Sequence, residues 1–127
     1  MLKVAYEKDQ DQIFGMIEGE LTMEVAKSYF IKVAELSKET NCAKILTDLS
    51  KAKLTAVETD MQSLSSELEN LGISLKAKRA IVVSDDVKLY KTWENFCFRN
   101  GFQGIRLFMD EKTATEWLLK EETLSLS

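Results

Sequence analysis

Lys78-Arg79-Ala80-Ile81-Val82-Val83, then Ser84-Asp85-Asp86, then Val87, Tyr90, Trp93 and Cys97 at helical spacing, is the stretch that decides the fold. Arg79 to Val83 is a near-continuous apolar run, the pattern of a strand buried on both faces of a parallel sheet. Ser84-Asp85-Asp86 opens a helix with Asp85 as its cap and puts carboxylates where the helix dipole favours them. Asn100-Gly101 stops that helix. Ile105-Arg106-Leu107-Phe108 reads as the next strand, and Asp110 caps a last helix with Ala114, Trp117 and Leu118 facing inward. Strand, helix, strand, helix in unbroken alternation implies right-handed crossovers and helices packed on a sheet.

Upstream, Thr55 and Glu58 have the T-x-x-E spacing of a capping box, and Val57, Met61, Leu64, Leu68 and Leu71 follow as one apolar stripe. Gln62, Ser63, Ser65, Ser66, Glu67, Glu69 and Asn70 cover the rest of that helix, and Gly72 supplies its left-handed stop. Its polar face carries Glu58, Asp60, Glu67 and Glu69 and would be repelled by anionic lipid, so the stripe is expected to pack on the sheet. Ala43 to Thr47 reads as a strand leading into Asp48-Leu49-Ser50. Thr22 caps a helix to about Lys38, with Ala26, Tyr29, Phe30, Val33 and Leu36 inward and Thr40-Asn41 at its end. Leu2 to Tyr6 and Gln12 to Glu18 alternate as an antiparallel hairpin around a loop of about five residues. The expected order is β-β-α-β-α-β-α-β-α: one α/β domain over 1–127, an N-terminal hairpin on a mixed, mostly parallel sheet, with 119–127 as a frayed tail.

Bulk composition removes several classes of function. A chain of 127 residues fits a single domain, which buries roughly two-thirds of its unfolded surface. The net charge is −4 and no basic run exceeds Lys76-Ala77-Lys78-Arg79, so no nucleic-acid partner is expected. No apolar run approaches the ~20 residues of a membrane span. The sequence after Met1 goes straight into strand-like residues without a leader pattern, and a cytoplasmic protein is expected. Cys42 and Cys97 then read as reduced, packed thiols.

Candidate chemistry is sparse. With no histidine in the chain, Ser-His and Cys-His nucleophiles and His-ligated zinc are excluded. Cys97 lies among aromatic neighbours, where a thiol stays protonated and inert. In open α/β sheets ligands sit beyond the carboxyl ends of the strands, which singles out Asp48, Ser50, Thr55, Glu58, Asp85, Asp86 and Asp110. Helix capping alone explains acids at such places. A phosphoacceptor receiver domain would need a lysine after the last strand, where Met109-Asp110 stands. No catalytic residue, metal site or cofactor is therefore expected. Trp93, Phe98 and Phe102 could line a groove for an apolar ligand if Phe98 and Phe102 are partly exposed.

The strand order, with Asp48-Leu49-Ser50 after the central strand, resembles the STAS domains of bacterial anti-sigma-factor antagonists and sulfate transporters. Arg106-Leu107-Phe108, Ala114 and Trp117-Leu118 are similar to the SpoIIAA-like branch, whose fold is also compared with lipid-binding Sec14 domains. In the antagonists a serine in a D-S-S-G-L-type motif opens the next helix, and its phosphorylation by a partner kinase breaks binding. Here Leu54-Thr55-Ala56-Val57-Glu58 fills that stretch, Val57 or Glu58 falls at the serine position, and the phosphoswitch is not carried over.

Three functions remain in order of preference. The first is a non-enzymatic regulatory adaptor that binds a protein partner, or a second copy of itself, near the Ser50–Leu64 edge through Ser50, Thr55 and Glu58. The second is a carrier of a small apolar or lipid-like ligand near Trp93, Phe98 and Phe102, which needs a pocket of roughly 300 Å³ or more. The third is a hydrolase or transferase working with acids alone.

Overall fold

The structure, a computed structural model, describes residues 1–120. The hairpin forms as expected: β1 (Leu2–Glu7) and β2 (Gln12–Ile17) pair antiparallel, Leu2 opposite Ile17 and Glu7 opposite Gln12. Asp11 turns the chain in the left-handed region at φ 48°, and its carboxylate accepts a 2.7 Å hydrogen bond from the Tyr6 hydroxyl. Gly19, at φ 89°, then breaks the run and sends the chain out of the sheet. Its next residues form β3 (Gly19–Leu21).

Helix α1 (Met23–Thr40) begins at Thr22, whose hydroxyl accepts from the Val25 amide, and ends at Asn41 in the left-handed conformation, φ 53°. Strand β4 (Lys44–Asp48) returns beside β2, and β5 (Ala52–Leu54) leaves to pair parallel with β3. Helix α2 (Glu58–Glu67), β6 (Lys78–Val82), α3 (Val87–Arg99), β7 (Ile105–Phe108) and α4 (Glu111–Leu119) complete the alternation. The main sheet has the order β1-β2-β4-β6-β7, parallel except for β1. The architecture is the expected α/β one, with a two-stranded β3-β5 sheet added. Those strands are three residues long, too short for an alternating pattern to show in sequence.

The helices divide between the two faces of the sheet. Leu46, Ala80 and Val82 pack with Ala114 and Leu118 of α4 on one side. Ile13, Ile17, Tyr29, Val33, Ile45, Ile81, Trp93 and Phe102 form the larger core on the other. β6 is buried on both faces, as its apolar run predicts. At its start Lys78 reaches the C-terminus of α4, donating to the Trp117 carbonyl at 2.6 Å and the Lys120 carbonyl at 3.0 Å, with its ammonium over the Trp117 ring. A cation there satisfies carbonyls the helix cannot pair itself.

Several local expectations are corrected. Thr55 does not cap α2: its amide and hydroxyl both donate to the Leu21 carbonyl, at 3.1 and 3.3 Å, because β5 ties it to β3. The N-cap position falls to Val57, which has no capping side chain, so the capping box is not formed. Asp85 does not cap α3; Asp86 occupies that position in a left-handed conformation and its side chain makes no cap bond. Val87 is exposed, since α3 turns Tyr90, Trp93 and Cys97 inward instead. Helix α2 packs chiefly on α3, and then on α1, more than on the strands. Ser65, read as part of its polar surface, is buried there and accepts a 3.0 Å hydrogen bond from Asn100 Nδ2. Leu119 closes α4 and Lys120 is its C-cap, its amide donating to the Trp117 carbonyl; 121–127 of that expected tail lie outside the described residues.

Gly15 is the tightest point of the sheet. A Cβ there would stand 2.1 Å from Tyr29 Oη and 2.4 Å from its ring. Tyr29 is 2 % exposed and cannot swing away. Gly15→Ala should therefore cost about 1–3 kcal/mol in urea unfolding, the usual range for overpacking. An unchanged midpoint would place the ring elsewhere.

Candidate functional site

Two places carry what the sequence singled out. The first is the rim where β4, β6 and β7 end. Asp48 accepts a 2.9 Å hydrogen bond from the Ser50 amide, and the Ser50 carbonyl accepts from Ser84 Oγ at 2.8 Å. The loops after β4 and β6 are thereby tied together, with the Leu49 amide donating to the Val82 carbonyl at 2.8 Å. Asp110 caps α4 as expected, accepting from the Thr113 amide at 2.8 Å and its hydroxyl at 2.9 Å. These bonds hold the Asp110 carboxyl below its usual range. Thr55 and Glu58 are exposed on the same side, and Ser50 is half-buried. Of the eight large apolar side chains exposed among the described residues, four (Val57, Val87, Leu89 and Met109) stand on this rim. No group of three His, Cys, Asp or Glu side chains among the described residues could hold a metal ion.

The second place lies beneath the helices. A partly open cavity of about 60 Å³ lies between the sheet and helices α1, α2 and α3. Its walls are apolar (Ile17, Leu54, Met61, Ile81 and Trp93 among them), with polar groups from Arg79, Tyr29, Thr47 and Tyr90. Tyr29 Oη and Thr47 Oγ1 share a buried hydrogen bond of 2.6 Å. The buried Tyr90 hydroxyl has no hydrogen-bond partner. Burial pushes the Tyr29 phenol up to about 12, against the smaller opposing effects of the Thr47 hydrogen bond and the Arg79 charge. Burial, with the Asp86 and Asp85 charges adding to it, pushes Tyr90 up to about 12 as well.

The expected aromatic groove does not assemble. Trp93 lines the cavity, but Phe102 is 2 % exposed and packs over Arg79 from elsewhere in the core, and half-buried Phe98 is not part of the lining. Sequence reading passed over Arg79, taking it as the opening of an apolar strand. Period-two alternation holds the missing signal: Arg79, Ile81 and Val83 share one face, and that face is core.

No family model matches the chain, and no curated protein matches it significantly. Among solved structures it is similar to an uncharacterized DUF3478-family protein with a SpoIIAA-like fold from Shewanella loihica PV-4. The two are 19 % identical over 92 % of this chain and 93 % of that one, with a TM-score of 0.57. It is also similar to the Bacillus cell fate determinant SpoIIAA in its phosphorylated form, at 11 % identity over 92 % of this chain and 99 % of that one, TM-score 0.51. The fold is SpoIIAA-like.

The buried phenols set an alkaline limit. A phenol with a raised folded-state pKa gives stability that is whole below the ordinary value of about 10 and is lost as pH rises through the folded value. Unfolding free energy should therefore fall between pH ~10 and about 12, and Tyr29→Phe or Tyr90→Phe should each flatten the fall. At neutral pH Tyr29→Phe should cost about 1 kcal/mol by losing the Thr47 bond, whereas Tyr90→Phe should be neutral or stabilising. Urea titrations across pH read both, and equal losses in the two variants would contradict the assignment.

Proposed function

We propose that this chain is a non-enzymatic regulatory adaptor of the bacterial cytoplasm that binds a protein partner through the rim around Ser50, Thr55, Glu58 and the start of α2. The observation that carries the reading is the cluster of exposed Val57, Val87, Leu89 and Met109 at the ends of the parallel strands. Apolar side chains gathered at one end of a domain are what a partner covers. The likeness to SpoIIAA, a cell fate determinant, supports a regulatory role. Thr55 and Glu58 are exposed beside this cluster and available for contact. Leu54-Thr55-Ala56-Val57-Glu58 stands where the antagonists carry D-S-S-G, and the Thr55 hydroxyl is engaged with the Leu21 carbonyl, so the antagonists' phosphoserine is not part of this reading.

A ligand carrier is the second reading, and the interior cavity is the observation that favours it. At about 60 Å³ the cavity falls far below the roughly 300 Å³ of ordinary small-molecule sites. A lipid does not fit, and any guest is small.

Site-specific photo-crosslinking in the host tests the adaptor. A crosslinker at Val57 should capture a defined protein, and capture should fall at least about tenfold when Glu58→Arg is added to disturb the same surface. A crosslinker at Glu39, on the far side of α1, should capture nothing specific. Equal capture at both positions contradicts a docking rim.

A further inference from the structure

Arg79 is a buried cation that makes no ion pair among the described residues. It is 3 % exposed and packs with the Phe30 and Phe102 rings, whose centroids lie 5.4 and 5.6 Å from Cζ. A guanidinium has five N–H donors in its plane, and ring faces answer its charge without accepting those hydrogens as a carboxylate does. Among the described residues its one side-chain hydrogen bond runs from Nη1 to Cys97 Sγ at 3.9 Å, and a thiol is a weak acceptor. Among the described residues no carboxylate pairs with it; the one buried acid, Glu94, is held by Lys91. A buried charge is costly unless something pairs with it.

The place where this charge is kept is hollow. Arg79 lines the cavity beneath the helices, and so does Tyr90, whose buried hydroxyl has no hydrogen-bond partner. Arg79 and Tyr90 therefore stand in the wall of a space whose other polar side chains include Tyr29 and Thr47, bonded to each other, and which is for the rest mainly hydrocarbon and Trp93. We propose that this cavity binds a short aliphatic monocarboxylate, its carboxylate paired with the Arg79 guanidinium and its hydrocarbon end among Leu54, Met61 and Trp93.

Charge, polarity and size each select that class. Arg79 is the one cation in the lining, which suits a single negative charge and not a nucleotide or a polyphosphate. A plain hydrocarbon would leave the guanidinium unanswered, and water would solvate it without neutralising it. About 60 Å³ at roughly 10–15 Å³ per water-sized body admits a guest of about four to six heavy atoms, the size of propionate or butyrate. The site lies under the helices and uses neither Ser50, Thr55 and Glu58 nor the exposed apolar side chains of the rim, so its test does not depend on the adaptor reading.

The test is calorimetric titration of the purified full chain with sodium butyrate at constant ionic strength, with intermolecular NOEs collected on the complex. Butanamide serves as the uncharged isostere and octanoate as the overlong homologue. The expected result is saturable binding of one butyrate per chain with NOEs from its methyl group to the Trp93 indole. Butanamide should bind at least about tenfold more weakly, and octanoate no tighter than butyrate. Arg79→Met removes the charge at similar length. It should fold with an unchanged or raised melting temperature and lose butyrate affinity about ten- to hundredfold. Should that variant misfold, the butanamide comparison on the native chain decides alone. Absence of saturable binding, equal affinity for butanamide, retained affinity in folded Arg79→Met, or steadily tighter binding up to octanoate would each overturn the proposal.

Discussion

Tyr29 lying across Gly15 is the contact on which the larger face of this molecule depends. The ring comes so close to β2 that no side chain fits beneath it, and its hydroxyl crosses to Thr47 on β4. Gly15 and Thr47 are neighbours in the parallel register. One residue of α1 thus fixes the helix over two adjacent strands by both shape and hydrogen bonding. A glycine in a strand ordinarily weakens it, and a close approach of this kind is the reason to keep one. The same ring forms part of the cavity wall, so the docking of α1 and the hollow beside it have a single cause.

The sheet separates two kinds of surface. At the rim, loops that end parallel strands are laced by Ser50, Ser84 and Leu49 and present apolar side chains outward. Beneath the helices, polar groups turn inward around Arg79. Helix α2 connects the two, because its start carries Val57 at the rim while Met61 and Leu64 close over the cavity. A partner gripping the start of α2 pulls on a helix that rests on α3 and α1 more than on strands. Helix-on-helix packing of this sort is where small shifts are accommodated.

Much of the fold was legible in the sequence because its elements are bounded by strong local signals. Thr22, Asn41, Asp110 and Gly101 sit where caps and stops were read, and β6 is the twice-buried strand its apolar run announced. The misreadings around Thr55 share one physical origin. The sequence pattern of a capping box is satisfied locally, but a three-residue strand diverts Thr55 to a carbonyl 34 positions away. No local pattern reports a partner at that distance. Phe102 was misplaced for a related reason: beside Gly101 it looks like loop, yet the turn folds it back under Arg79. Of the candidate site, the rim residues could be named because caps and strand ends have signatures. The interior was missed because one arginine in an apolar run has none, apart from its parity with Ile81 and Val83.

The Arg79 guanidinium is held inside the core, in the cavity wall with Tyr29. Side-chain NMR of uniformly ¹⁵N,¹³C-labelled protein reads that placement directly. A resolved, slowly exchanging Arg79 Nε–H with NOEs to the Phe30 and Phe102 rings is the predicted result. An Arg79 signal averaged with those of the surface arginines, exchanging rapidly with water and without aromatic NOEs, would contradict it.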